Sequence, residues 1–164
     1  MKLTKETDYG LLLLTHLAEL APMETVSVRQ VAEHYGLSER FLANIVHKLA
    51  NVKIVHSRRG ANGGIRLGRP SSEVTVREVV EALEGPIELF TCESDIHPCE
   101  HTELCTMREF WGSVQHDLLG RLERTTVSDF ARRQAEPGRP DVALADVRFA
   151  AGSAGAFTAQ AASK

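Results

Sequence analysis

Residues 28–70 read VRQVAEHYGLSERFLANIVHKLANVKIVHSRRGANGGIRLGRP, and this stretch decides the fold. Ser27 precedes a short helix as its N-cap, with Val28, Val31 and Ala32 on the inward face. Tyr35-Gly36-Leu37 breaks that helix. Ser38 caps the next one, where Phe41, Leu42, Ile45, Val46 and Leu49 recur at helical spacing. A short helix, a glycine turn and a second helix with early polar residues are the helix-turn-helix layout. In that layout the start of the second helix reaches base edges in the major groove. The residues so placed are Ser38, Glu39, Arg40 and Asn44, with His47 and Lys48 further along. Many helical hairpins share this pattern, so the adjoining segment carries weight.

That segment predicts a strand at 54–58, a tight turn at 59–64 and a returning strand at 65–67. Asn62-Gly63 is a strong hairpin signal, because both residues tolerate positive φ. Arg58, Arg59 and Arg66 flank a tip whose Gly60 and Gly63 permit close backbone approach, which suits a narrow groove and its phosphates. A structural hairpin with exposed arginines is the plainer reading. Its place directly behind a helix-turn-helix favours a DNA-contacting wing.

Charge supports this. Between Arg40 and Arg69 lie seven lysines and arginines, both ends included, and no acid, although the whole chain carries a net charge of -3. A local basic block is the footprint of phosphate binding, or plainly of a solvated surface.

Working outward, residues 6–20 predict a helix capped by Thr7 or Thr4. Leu11, Leu13, Leu14, Leu17 and Leu20 lie on nearly every face, as in a centrally buried helix. Thr75-x-x-Glu78 is a capping box opening a helix with Val76, Val79, Val80 and Leu83 on one face, and Gly85-Pro86 ends it. From about Leu104 a long helix carries Met107, Phe110, Trp111, Val114, Leu118 and Leu122 at three- and four-residue steps. Such a stripe is ordinary core or a dimer seam, and a domain this small has little else to cover it. Palindromic DNA sites also call for two-fold protein symmetry. Thr126-x-x-Asp129 starts a last short helix contacting through Val127 and Phe130. Residues 135–164, rich in Ala, Gly, Ser and Pro, read as a flexible tail.

The expected organisation is mainly α: a winged helix-turn-helix domain at 1–85 with a small two-stranded β wing, a cysteine loop at 86–105, a long dimerisation helix with a short C-terminal helix at 106–134, and the tail. No stretch is long and apolar enough to cross a membrane, and the N-terminus lacks a secretory pattern. The expected location is the cytoplasm, where thiols stay reduced. A catalytic role is not expected. The chain has no Ser-His-Asp arrangement, phosphate loop, paired carboxylates with a plausible cleft, or C-x-x-C.

All 3 cysteines, Cys92, Cys99 and Cys105, fall in one loop as C-x6-C-x5-C. The loop is rich in Glu, Asp, His and Pro and belongs on the surface, so buried packing thiols are a poor explanation. Thiolates suit zinc or iron–sulfur clusters. Zinc knuckles bring C-x2-C units, which are absent, whereas wide gaps suit a cluster wrapped by a loop. Three thiolates leave one position open; His97, His101 and nearby acids are local candidates.

These motifs together resemble the iron–sulfur winged-helix repressors of the NsrR, IscR and RirA family. The resemblance runs from Met1 to about Arg133. It rests on LTKETDYGL, VRQVAEHYGLSERFL, RRGANGGIRLGRP, TVREVVEALEG and the three-cysteine loop before a long helix. Thr7-Asp8-Tyr9-Gly10-Leu11 is most similar to the nitric-oxide sensors of the family. That likeness implies a [4Fe-4S] cluster held by Cys92, Cys99 and Cys105 of one chain and Asp8 of the partner chain. It also implies a homodimer that represses transcription on double-stranded operator DNA until nitric oxide attacks the cluster. IscR-type members hold a [2Fe-2S] cluster with a histidine three residues after the last cysteine. Here that position is Arg108, a cation that cannot ligate. RirA-type iron sensors have wide first gaps like this one but tend to lack the acid at Asp8. An iron or cluster-status regulator is therefore the alternative, with a structural zinc as another. Asp8 also has the plain role of a first-turn acid favoured by the helix dipole.

Overall fold

The first element of the chain's described residues is a helix capped by a threonine. In the computed structural model α1 spans Lys5–Glu19, and Thr4 is its N-cap, the side chain accepting from the Glu6 N–H. The structure describes residues 3–58, 60, 63–89 and 105–134. Cys92, Cys99, His97, His101, Arg59, Asn62 and the expected tail at 135–164 lie outside them.

Five further helices and one hairpin complete the architecture among the described residues. They are α2 (Val28–His34), α3 (Glu39–Asn51), β1 (Val55–Arg58), β2 (Gly64–Leu67), a 3-10 turn at Ser71–Glu73, α4 (Val76–Glu84), α5 (Thr106–Arg124) and α6 (Val127–Gln134). The predicted caps form. Ser27 and Gln30 make a reciprocal capping box on α2, Ser38 caps α3, and Thr75 with Glu78 makes the box on α4. Each satisfies N–H groups that a helix start leaves unpaired. Gly36, at φ 63, lets the chain reverse between α2 and α3, where Leu37 N–H reaches back to Ala32 O at 2.8 Å.

β1 and β2 pair antiparallel with Val55 opposite Leu67 and Arg58 opposite Gly64. Val26 adds an antiparallel bridge to Ile65, with hydrogen bonds of 3.1 and 2.8 Å, so the loop before α2 flanks the hairpin. Gly64 permits that approach, since a Cβ there would lie 3.0 Å from Val26 O. Gly68 does the same at the hairpin's base, where a Cβ would overlap Lys53 O and its own N–H bonds Ile54 O at 2.9 Å.

The core lies where α1, α2, α3, the hairpin, α4 and α6 meet. Leu13, Leu14, Leu42, Ile45, Leu49, Ile54, Ile65, Val74, Val79 and Val127 are fully enclosed there. α1 is central as expected, though Leu11 and Leu20 are only half-buried. Thr7 and Thr15 are its two buried polar residues; Thr15 returns its hydroxyl to Leu11 O at 2.8 Å. A second cluster, Val76, Val80 and Ile87, receives Leu118, Leu119, Leu122 and Phe130. α6 packs on α1 and is tied to the start of α4 by a Thr75–Thr126 bridge. The last described helix is thus built into the same body as the first.

Candidate nucleic-acid interface and thiol site

α3 buries Leu42, Ile45, Val46 and Leu49 and exposes Glu39, Arg40, Ala43, Asn44 and His47. The two sets sit on opposite sides because positions three and four apart share a helix face. Ser38, Glu39, Arg40, Asn44 and His47, predicted as base-reading residues, are therefore exposed together at the start and on the outer side of α3. Ser38 uses its Oγ to accept from Phe41 N–H at 3.4 Å, so its hydroxyl is already engaged as a cap.

Lys48 is placed differently. Its Nζ lies 2.8 Å from Glu6 Oε2 and 3.0 Å from Leu83 O, and its side chain is only 34% exposed. Asn44 donates its Nδ2 to the other oxygen, Glu6 Oε1, at 3.2 Å. One α1 carboxylate thus holds two residues of α3. Beside it, Glu84 at the end of α4 accepts from Thr4 N–H at 2.9 Å and from the Thr4 and Thr7 hydroxyls at 2.6 Å each. Burial opposes ionisation of Glu84, but the threonine hydrogen bonds and nearby Lys48 outweigh it and bring its carboxyl below the usual range.

On the wing, Arg58 is exposed and Arg66 half-buried, its Nη1 donating to Leu67 O at 3.4 Å. The sequence signal for the turn is Asn62-Gly63; among the described residues of the turn, Gly60 has positive φ, at 116°. Gly63 closes the tip by donating to Gly60 O at 2.8 Å. Arg69, at the wing's base, pairs with Glu78 at 2.6 Å. Burial disfavours the ionised Glu78, yet Thr75 and Arg69 bond it strongly enough to lower its pKa.

Cys105 is the N-cap of α5, half-buried, unoxidised, and its side chain makes no capping hydrogen bond. Asp8 is exposed in the first turn of α1. Among the described residues no three metal-capable side chains converge, and two of the three cysteines lie outside those residues. The donor chemistry at the described positions fits a cluster: a thiol without a capping bond and an accessible acid.

The apolar stripe of α5 divides in two. Met107, Phe110 and Trp111 are 63%, 56% and 44% exposed, and the last two rings meet edge to face with centroids 5.2 Å apart. Val114 is half-buried, while Leu118 and Leu122 pack against the chain's own second cluster. No residue of α5 is fully buried.

The sequence profile of Rrf2, described as iron-dependent transcriptional regulators, matches residues 3–133. The chain belongs to the Rrf2 family. The fold agrees with solved members. CymR of B. subtilis, the global cysteine regulator, is 29% identical over 81% of this chain and 98% of its own, with a TM-score of 0.66. A protein from Listeria innocua described as a transcriptional regulator is 31% identical over 86% of this chain and 93% of its own, at TM-score 0.69. IscR of T. potens is 25% identical over 85% and 91%, at TM-score 0.64. Rrf2 regulators bind DNA and are generally dimeric. The outer face of α3, Arg58 on the wing and the first half of α5 are exposed in this Rrf2 fold. Among the described residues no helix is long and apolar enough to cross a membrane.

Sequence reasoning missed Glu6, Glu84, Gly10 and Gly68. Each acts through a partner distant in sequence, and nothing local marks it.

Proposed function

We propose that this Rrf2 protein is an iron–sulfur repressor that releases operator DNA in response to nitric oxide. Cys92, Cys99 and Cys105 of one chain and Asp8 of the partner chain would hold a [4Fe-4S] cluster. When bound, it supplies iron that reacts with nitric oxide, more readily where an oxygen ligand replaces a thiolate. The observation that carries the reading is the position of Asp8. It is an exposed acid on the same first turn as Glu6, whose carboxylate bonds Asn44 and Lys48 of the reading helix.

The chain's own residues supply the link between sensing and reading. Glu6 fastens the first turn of α1 to α3, and Glu84 fastens it to the end of α4 through Thr4 and Thr7. Displacement of Asp8 is therefore carried to both. Two reading heads held about 34 Å apart in a dimer depend on that orientation. Cys105 begins α5, so the same element carries a ligand and the exposed Phe110 and Trp111. Arg40, Arg58 and the other wing arginines neutralise phosphates, which makes affinity fall with salt.

Anaerobic purification with a visible spectrum and iron and sulfide counts tests the cofactor. Wild-type protein is expected to be brown, with four irons per chain, and to lose DNA affinity on nitric-oxide titration. Cys99→Ala is expected to lose the visible absorption and the response. A Cys99→Ala protein that keeps both removes the sensor reading, and colourless wild-type protein containing zinc replaces it with a structural metal. Asp8→Ala with unchanged cluster and unchanged release returns Asp8 to a helix-end acid.

A second reading, a regulator of iron or cluster status, is favoured by the family description as iron-dependent. DNA release under iron limitation, with no response to nitric oxide at stoichiometric amounts, selects it.

A further inference from the structure

The ion pair under the reading helix has a consequence for DNA binding that is independent of any cluster; it rests only on α3 as the DNA-reading element. We infer that Glu6 is a specificity-determining acid, a carboxylate that masks Lys48 and orients Asn44 so that α3 gains little sequence-independent affinity for DNA.

Placement comes first. Asn44 is exposed on the outer side of α3, and Lys48 stands one turn later on the flank toward α1. Glu6, in the first turn of α1, reaches both of them, and its side chain is 18% exposed. Lys48 is therefore a phosphate-reach cation on a long flexible stem, held back by a carboxylate at 2.8 Å and a carbonyl at 3.0 Å. A paired ammonium releases no DNA counterion, so Lys48 adds nothing to the salt-dependent part of binding while Glu6 is ionised. The carboxylate also adds a negative charge at the edge of a surface that meets phosphates, which opposes non-specific approach.

The second effect is on Asn44. An ionised carboxylate only accepts hydrogen bonds, so Asn44 must give it the Nδ2 end of the amide. This leaves Oδ1 for other partners, an acceptor matched to the amino groups of cytosine or adenine in the major groove. Without Glu6 either end of the amide faces DNA, and the discrimination is lost. Glu6 thus turns a basic, adaptable patch into a neutral one with a fixed acceptor. Specificity of this kind works by lowering affinity for the wrong sites.

The test uses the full-length chain and a random-sequence duplex of about 30 base pairs, long enough for two half-sites a helical turn apart. Binding is followed by fluorescence anisotropy across a salt series. Glu6→Gln keeps the shape and removes the charge. Its slope of log affinity against log salt is expected to steepen by about 0.9 per protomer, with non-specific binding near 0.1 M salt tightening on the order of tenfold per protomer. The double variant Glu6→Gln/Lys48→Gln is expected to return to the wild-type slope, which assigns the added contact to Lys48. Where Glu6→Gln does not fold, shown by thermal unfolding, Glu6→Asn gives the same readout. A folded variant with the wild-type slope overturns the inference, and so does a double variant that stays steep. Wild-type protein that shows no salt-dependent binding to any duplex, while Glu6→Gln shows none either, removes the DNA-reading face itself and the mask with it.

Discussion

At the scale of single residues, one tight constraint among the helices is a glycine. Gly10 sits on the buried side of α1, and a Cβ there would overlap Leu83 Cδ1 and lie 3.7 Å from Ile45 Cγ2. α1, α3 and α4 meet at that point, so the missing side chain sets how near α4 comes to α1. Glycine in a helix interior otherwise costs about 1 kcal/mol relative to alanine, which only a close contact of this kind offsets. Gly10→Val is expected to destabilise the chain by about 2–3 kcal/mol through overpacking. Gly10→Ala is expected to lose less, because alanine recovers about 1 kcal/mol of helix propensity. Urea denaturation midpoints measure both. Because the overlap is with Leu83, Leu83→Ala should cost less in the Gly10→Val background than in the wild type. Equal costs in a double-mutant cycle would place the strain elsewhere.

At the scale of elements, the division of α5 has a direct consequence. Its second half is covered by its own chain through Leu118 and Leu122, while Met107, Phe110 and Trp111 stay uncovered. Three large apolar side chains on one exposed turn and a half mark an association surface. Replacing Phe110 and Trp111 together with Glu is expected to give monomers by sedimentation, with helical circular dichroism retained because neither side chain is in the core. A double variant that stays dimeric assigns the seam to another face. Legibility in the sequence also sorts by element. α2, the turn at Gly36, α3 and α4 are readable because caps and apolar spacing act within a few residues. The wing is readable as a hairpin, but its positive φ at Gly60 and its flank at Val26 are not, since both depend on the packing behind it. For the candidate site the split is similar. Periodicity alone puts Arg40, Asn44 and His47 on the exposed face. The restraint of Lys48 comes from Glu6, 42 positions away in sequence, and no local signal carries that.

At the scale of the whole molecule, α1 is joined to the helix-turn-helix at both ends, and the second joint is sensitive to pH. Near its C-terminal end, His16 shares a hydrogen bond with Tyr35 Oη at 3.3 Å through Nδ1, and its ring lies 5.5 Å from that of His34 on α2. Tyr35 is buried and His34 is exposed. Burial, and then the charge of His34, lower the pKa of His16 below its ordinary 6.5; Glu19 opposes them weakly. The folded chain therefore favours the neutral imidazole, whose Nδ1 shares the hydrogen bond with the tyrosine. Proton counting gives the sign. Between the lowered folded pKa and 6.5 the unfolded chain binds more protons at this site than the folded one. Stability is then fully present above about pH 7.5 and declines as pH falls through 6.5, until the folded form is protonated as well. Native carboxylates such as Glu84, with lowered pKa values, lose their stabilising ionisation only at lower pH, so the two effects separate. Urea midpoints measured from about pH 8 down to about pH 5.5, a window spanning the histidine range, are expected to fall for the wild type and to fall less for His16→Gln. Parallel curves would mean that the His16–Tyr35 joint takes up a proton without cost, and that α1 is held to the reading unit by Glu6, Glu84 and the core alone.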